Sequence, residues 1–299
     1  MKHILDPAEK WLAKQYLDPG EYNAFLRGQE LDFLRTEIKK RIFNEIRNFI
    51  SKSNQNSPPF NPEKIMGYRK IRKIVWDKKL KFRESLLIPI ADGFIININP
   101  NKPDTRLRFS IAHEIGHTYF FDLNTSPPQR SYHVSSSRTW VEEGYACEIA
   151  REILMPEPYI SKAASKFIEA PSQVLLELKK SFCVSYEVLI MRLLHDAHLW
   201  NYEFWKNSLW DGIVIIAKLP FLGESHALQM KVYRSPAFKY KFKDIRHNEK
   251  IKEEIMDILK NNAHIDKRIN IGKRKTQYRI HGLPVGKRAN IAILTLMKT

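Results

Sequence analysis

His113, Glu114 and His117 stand in the order His-Glu-x-x-His, with Ile115 and Gly116 between them. On a helix, positions i and i+4 lie one turn apart on one face, so both imidazoles can reach a single metal ion. Zinc suits them, because it takes imidazole nitrogens at about 2.0–2.1 Å in a tetrahedral set. A glutamate between the two histidines projects beside the metal. There its carboxylate can take a proton from an attacking water and later return it to a leaving amine, which is the chemistry of peptide hydrolysis. Two surface histidines on an ordinary helix would account for the His spacing and leave Glu114 unexplained.

A catalytic zinc keeps three protein ligands and one open position, so the third ligand has to come from another element. Residues 140–154 carry helical periodicity, with Gly144, Glu148, Arg151 and Glu152 on the polar arc. Glu142 and Glu143 fall instead on the apolar arc with Ala146, Cys147, Ile149, Ala150 and Ile153. A carboxylate on a packing face needs a partner, and a metal is one. Periodicity narrows the third ligand to Glu142 or Glu143 and does not choose between them. Tyr132 and His133, in the loop between the two helices, are candidates to polarise the scissile carbonyl or stabilise its oxyanion. Cys147, one turn beyond Glu143, reads as a small buried packing residue. The longer metzincin pattern, a Gly-x-Ser-x-Gly elbow and a Gly-rich phosphate loop are all absent.

These residues need scaffolding, and the chain offers it. Pro103-Asp104-Thr105 opens a helix, with Asp104 or Thr105 as its N-cap, that runs to about Phe121. Leu107, Ile111 and Ile115 fall opposite His113 and His117, so one face packs while the other presents ligands. The second helix spans Trp140 to Leu154 and stops before Pro156. Upstream, 71–76, 86–90 and 93–99 have strand character and predict a small antiparallel sheet. Before them, a long amphipathic helix is expected from about Glu21 to Ile50, with Leu31, Leu34, Ile38, Ile42, Ile46 and Phe49 on its stripe. Its Lys39, Lys40, Arg41 and Arg47 read as a solvated face. Ser51 to Pro62, with three prolines, has the composition of a linker. Beyond Asn201 the character changes again: Gly212–Ala217 and Ala289–Leu296 read as strands.

Taken together, the residues resemble a known family. Arg108-Phe-Ser-Ile-Ala-His-Glu-Ile-Gly-His117 is similar to the active-site helix of the ImmA/IrrE metallopeptidases. Glu143-x-x-Ala146-x-x-Ile149-Ala150-x-x-Ile153-Leu154-Met155-Pro156 resembles their second signature, a Glu-led helix ending in Leu-Met-Pro. Phe182-x-Val184-Ser185 and the following 189–194 helix resemble the segment that comes next. Ile149 and Ile153 stand where the family usually has Phe and often Leu. The resemblance covers roughly Gly93 to Leu199. It implies that Glu143 is the third ligand and Glu114 the general base, with one zinc per chain. It also implies a zinc endopeptidase acting on a helix-turn-helix transcriptional repressor and relieving repression. The rival from another class is a zinc-containing module that binds a repressor or DNA without cutting.

The expected fold is α+β: a helical N-terminal segment (1–60), a minimal zincin-like core of helices on the small sheet (61–200), and a small basic α+β domain (201–299). The chain of 299 residues is 43% hydrophobic and 28% charged, an ordinary globular balance that argues against disorder throughout. Its net charge of +17 is not ordinary. Residues 201–299 hold 20 Lys and Arg against 9 Asp and Glu, so +11 of it lies there. Lys273, Arg274 and Lys275 are the candidate nucleic-acid contact within that stretch, weighed against a solvated strand face. Two cysteines give no disulfide framework. No apolar run approaches the ~20 residues that span a bilayer, and the start lacks a signal-peptide core, so the cytoplasm is the expected compartment.

Overall fold

The computed structural model describes residues 5–80, 83–130, 132, 140–164, 171–196, 212–218, 228–235, 245–271, 276–285 and 291–298. They are a mixture of helices and small sheets, as expected for α+β, in two compact units. The first comprises residues 1–159 with 181–185, the second 160–180 with 186–299. The contacts therefore divide the chain differently from the expected 1–60, 61–200 and 201–299. The N-terminal helices belong with the metal-motif core, and most of 160–196 belongs with the C-terminal sheet.

In the first unit, α1 (Pro7–Tyr16) starts at Asp6, whose carboxylate accepts from the Ala8 N–H. α2 (Pro19–Leu26) starts on a full capping box between Asp18 and Glu21. Both carry Pro at the first helical position, where its missing N–H costs nothing. The single long helix expected from Glu21 is broken. Gly28 sits at φ 76° and Glu30 at φ 49°, and α3 (Leu31–Lys52) begins afresh beyond them. Left-handed backbone at a glycine ends a helix at little steric cost. The stripe itself is as expected, with Leu34, Ile38, Ile42 and Ile46 buried.

A 3-10 segment (Pro62–Arg69) leads to β1 (Ile71–Trp76), β2 (Ser85–Ile90) and β3 (Gly93–Ile98). Their order is β1-β3-β2, and the sheet is mixed rather than antiparallel. β2 and β3 form a hairpin around Ala91 and Asp92, with Ile90 opposite Gly93. β3 inserts between β1 and β2 and so runs parallel to β1, with Ile71 paired to Phe94 and Trp76 to Ile98. A tight hairpin fixes the first direction, and insertion fixes the second.

α4 (Asp104–His117) follows, continued by a 3-10 turn (Thr118–Phe120). Its N-cap is Pro103, without a side-chain cap, in place of Asp104 or Thr105. Two short strands, β4 (Phe121–Asp122) and β5 (Gln129–Arg130), pair in front of α5 (Trp140–Leu154). Helix α6 (Glu157–Ala164) follows.

In the second unit α7 (Pro171–Phe182) and α8 (Tyr186–Met191), the latter prolonged by a π-turn (Arg192–Asp196), precede a five-stranded antiparallel sheet. Its strands are β6 (Gly212–Lys218), β7 (Gln229–Arg234), β8 (Ile265–Ile271), β9 (Thr276–Val285) and β10 (Ile291–Lys298), in the order β7-β6-β10-β9-β8. Ile213, Ile215, Ile280 and Leu294 share one core with Ile251, Ile255 and Ile258 of α9 (Glu249–Asn261). Val214, Leu283 and Ile293, on the alternate positions, are buried as well. Burial of both faces is why β6 and β10 read as unbroken apolar runs. Among the described residues no helix is long and apolar enough to cross a membrane.

Candidate metal centre

The centre lies within the first unit, on α4 and α5. The two helices approach closely where Gly116 meets Ala146: a Cβ at Gly116 would lie 2.8 Å from the Ala146 Cα. Only a residue without a side chain fits there. This contact sets α5 against the His-bearing face of α4 and brings Glu143 to the two histidines.

His113 Nε2 and His117 Nε2 are 3.0 Å apart. Glu143 Oε2 lies 3.2 Å from the first, and Glu143 Oε1 3.7 Å from the second. The donor atoms of His113, His117 and Glu143 all fall within 4.8 Å of one another. Ligands at zinc-nitrogen distance in a tetrahedron sit about 3.3 Å from each other. Three donors converging at that separation, two of them imidazole nitrogens, fit a zinc ion with one position left over. His117 is fully buried, whereas His113 and Glu143 keep 14% and 34% of their side-chain exposure, so the centre opens on their side.

Glu142 and Glu143, which periodicity could not separate, point to different places. Glu142 is fully buried, and its Oε1 lies 2.8 Å from His117 Nδ1, on the far side of the ring from the donor cluster. Arg130 approaches both carboxylate oxygens, at 2.9 and 3.1 Å, and the Tyr132 hydroxyl donates to Oε2 at 2.8 Å. Burial alone would raise the Glu142 pKa. The hydrogen bond and charge of His117, with Arg130 and Tyr132, outweigh it and hold the carboxyl below its usual range. An ionised carboxylate can only accept, so His117 carries a proton on Nδ1 toward Glu142 and Nε2 is the ring nitrogen that faces the cluster.

His113 Nδ1 faces Cys147 Sγ at 3.7 Å. Burial lowers the His113 pKa, but hydrogen bonds with Cys147 and Glu143 and the charge of Glu114 push it up to about 9. Glu114 is buried too. Ser85, at the start of β2, donates to its Oε1 at 2.7 Å, and its Oε2 has no protein hydrogen-bond partner. A buried oxygen left over in this way calls for a ligand or a water.

Of the residues expected at the site, the structure brings His113, His117 and Glu143 together, the glutamate that the resemblance implied, with Glu114 buried on the same helix. The sequence did not foresee Ser85 or Arg130, which come from a strand start and a two-residue strand with no periodic signal. Tyr132 turns its hydroxyl to Glu142. His133 lies outside the described residues, as do Lys273, Arg274 and Lys275. Of the neighbouring basic residues, Lys267 pairs with Glu254 and Arg279 with Asp266, each at 2.7 Å.

No curated protein matches this chain. Among solved structures, one described as a Mycobacterium tuberculosis transcriptional regulator is similar in fold, with a TM-score of 0.51 at 13% identity over 86% of this chain and 76% of that one. The family model described as the IrrE N-terminal-like domain, Peptidase_M78, matches residues 76–194, which include the whole of α4 and α5. With both motifs present in order on those helices, residues 76–194 belong to the Peptidase_M78 (IrrE N-terminal-like) family, which supports a metallopeptidase-type role.

Proposed function

We propose that this protein is a zinc-dependent endopeptidase that cleaves a helix-turn-helix transcriptional repressor. The observation that carries the reading is the convergence of His113, His117 and Glu143 beside a buried Glu114 with one unpartnered oxygen. His113 and His117 through Nε2, with Glu143, would hold one zinc per chain. Zinc bound there supplies a Lewis acid that polarises the scissile carbonyl and acidifies water. Ser85 holds Glu114 by Oε1, and Oε2 takes the proton from the attacking water. Collapse of the tetrahedral intermediate breaks the C–N bond as Glu114 hands that proton to the departing amine. Glu142, Arg130 and Tyr132 orient and take no proton.

The substrate class rests on the resemblance of the two motifs to ImmA/IrrE metallopeptidases, and a similar fold in a protein described as a transcriptional regulator is compatible with it. The test has two parts. Elemental analysis of wild type, His113→Ala and Glu143→Ala should give about one zinc per chain in the first and clear loss in the others. Mass spectrometry of newly formed protein N-termini in cells expressing wild type or Glu114→Gln should find a wild-type-only cut in a helix-turn-helix repressor. An intact repressor complex without new termini would favour the non-catalytic module instead.

A further inference from the structure

We infer that Glu142, which the family match assigns no role, is a positioning residue: with Arg130 and Tyr132 it fixes His117 as a metal ligand and is itself barred from the metal. The inference rests on the zinc reading above. Adjacent glutamates start α5, and either could in principle be the third ligand. Both Glu142 oxygens are occupied on the Nδ1 side of His117. Oε1 accepts from His117 Nδ1 and from Arg130 at 2.8 and 2.9 Å, and Oε2 accepts from Arg130 and Tyr132 at 3.1 and 2.8 Å. The carboxylate has no exposed surface, and moving it toward the donor cluster would break four contacts in a dry environment.

A ligand histidine whose second nitrogen is held by a carboxylate is fixed in ring orientation and tautomer and made more basic. Loss of such a partner typically weakens metal binding by 10- to 100-fold. Arg130 comes from β5 and Tyr132 from the position two residues on, so two residues of the segment between α4 and α5 meet at this carboxylate. Glu143 is left to complete the ligand set, with a third of its side chain exposed on the open side.

The test is zinc affinity, measured by competition with a chromophoric chelator, for wild type, Glu142→Gln and the double variant Glu142→Leu/Arg130→Met. The double variant removes the buried carboxylate and its part-exposed guanidinium partner together, and so keeps the fold without an unpaired arginine. Both variants should bind one zinc at saturation with affinity weakened roughly 10- to 100-fold. The 15N shifts of metal-free His117 should show an Nδ1–H form in wild type and a mixture in the double variant, which a merely structural role would not produce. Affinity within twofold of wild type in either folded variant overturns the inference. A wild type that takes up no zinc overturns the zinc reading beneath it, and is distinguished because that failure appears before any substitution.

Discussion

Glu114 and Gly116 serve the centre in different ways, one by its chemistry and one by the space it leaves. Glu114 has one oxygen tied by Ser85 and one left over, so it is poised to accept a proton without being able to swing away. Glu114→Gln should therefore keep its zinc and lose turnover by about 100-fold or more, the range for removing a general base. Wild-type cleavage by that variant would remove Glu114 from the mechanism. Gly116 shows how a residue without chemistry governs those with it. A methyl group there meets the Ala146 backbone at 2.8 and 2.9 Å, which must push α5 off α4. Gly116→Ala should cost about 1–3 kcal/mol by overpacking and weaken zinc binding in the same step. Thermal unfolding of the metal-free variant, set beside its zinc affinity, separates the two effects, and an unchanged affinity would show that the helix spacing tolerates more than the contact suggests.

The helices that carry the centre are braced by charges that read as solvent-facing in sequence. Lys39 of α3 reaches Glu148 of α5 at 2.7 Å. Arg47 reaches Glu152, whose side chain is fully buried, at 2.6 Å. The N-terminal helix stripe thus docks on α5 with its apolar face, and the flanking charges find partners on α5 instead of water. Arg47→Ala would take the guanidinium from the buried Glu152 carboxylate. The expected loss is about 3 kcal/mol, the lower end for breaking a buried pair, because the Glu157 N–H still donates to it. Denaturant titration measures this, and a change below half a kilocalorie would mean that water reaches Glu152 freely. Lys40, by contrast, pairs among the described residues with Glu37 one turn away, and its replacement should be nearly silent.

At the level of the molecule, two compact units each have a core of their own, one around α4 and α5 and one around α9 and the five-stranded sheet. The three proposed metal ligands all belong to the first. Zinc removal should therefore increase amide hydrogen exchange in 104–117 and 140–154 and leave 213–217 and 292–296 unchanged. Equal loosening of both regions would mean that the metal stabilises the chain as a whole. Some cations of the C-terminal third are paired where it is described, as Lys267–Glu254, Arg279–Asp266 and Lys231–Glu187.

The sequence by itself determined the chemistry: His-Glu-x-x-His at helical spacing, a second helix with acids on its packing face, and the apolar stripes that place both in a core. Those features are local, and one-turn periodicity is enough to express them. It also determined the two central strands of the second unit, because burial of both faces writes an unbroken apolar run. Periodicity left open which of two neighbouring glutamates meets the histidines; the motif resemblance implied Glu143, and the tertiary structure supplies the physical reason. Adjacent residues on a helix differ by about 100° in direction, and the choice depended on where Arg130 and Tyr132 arrive from another part of the chain. The same holds for Ser85 beside Glu114, for the parallel pairing of β1 with β3, and for the charges of α3 that turned out to be braces. Each is a contact between residues distant in sequence, and no periodicity along one segment encodes its partner on another.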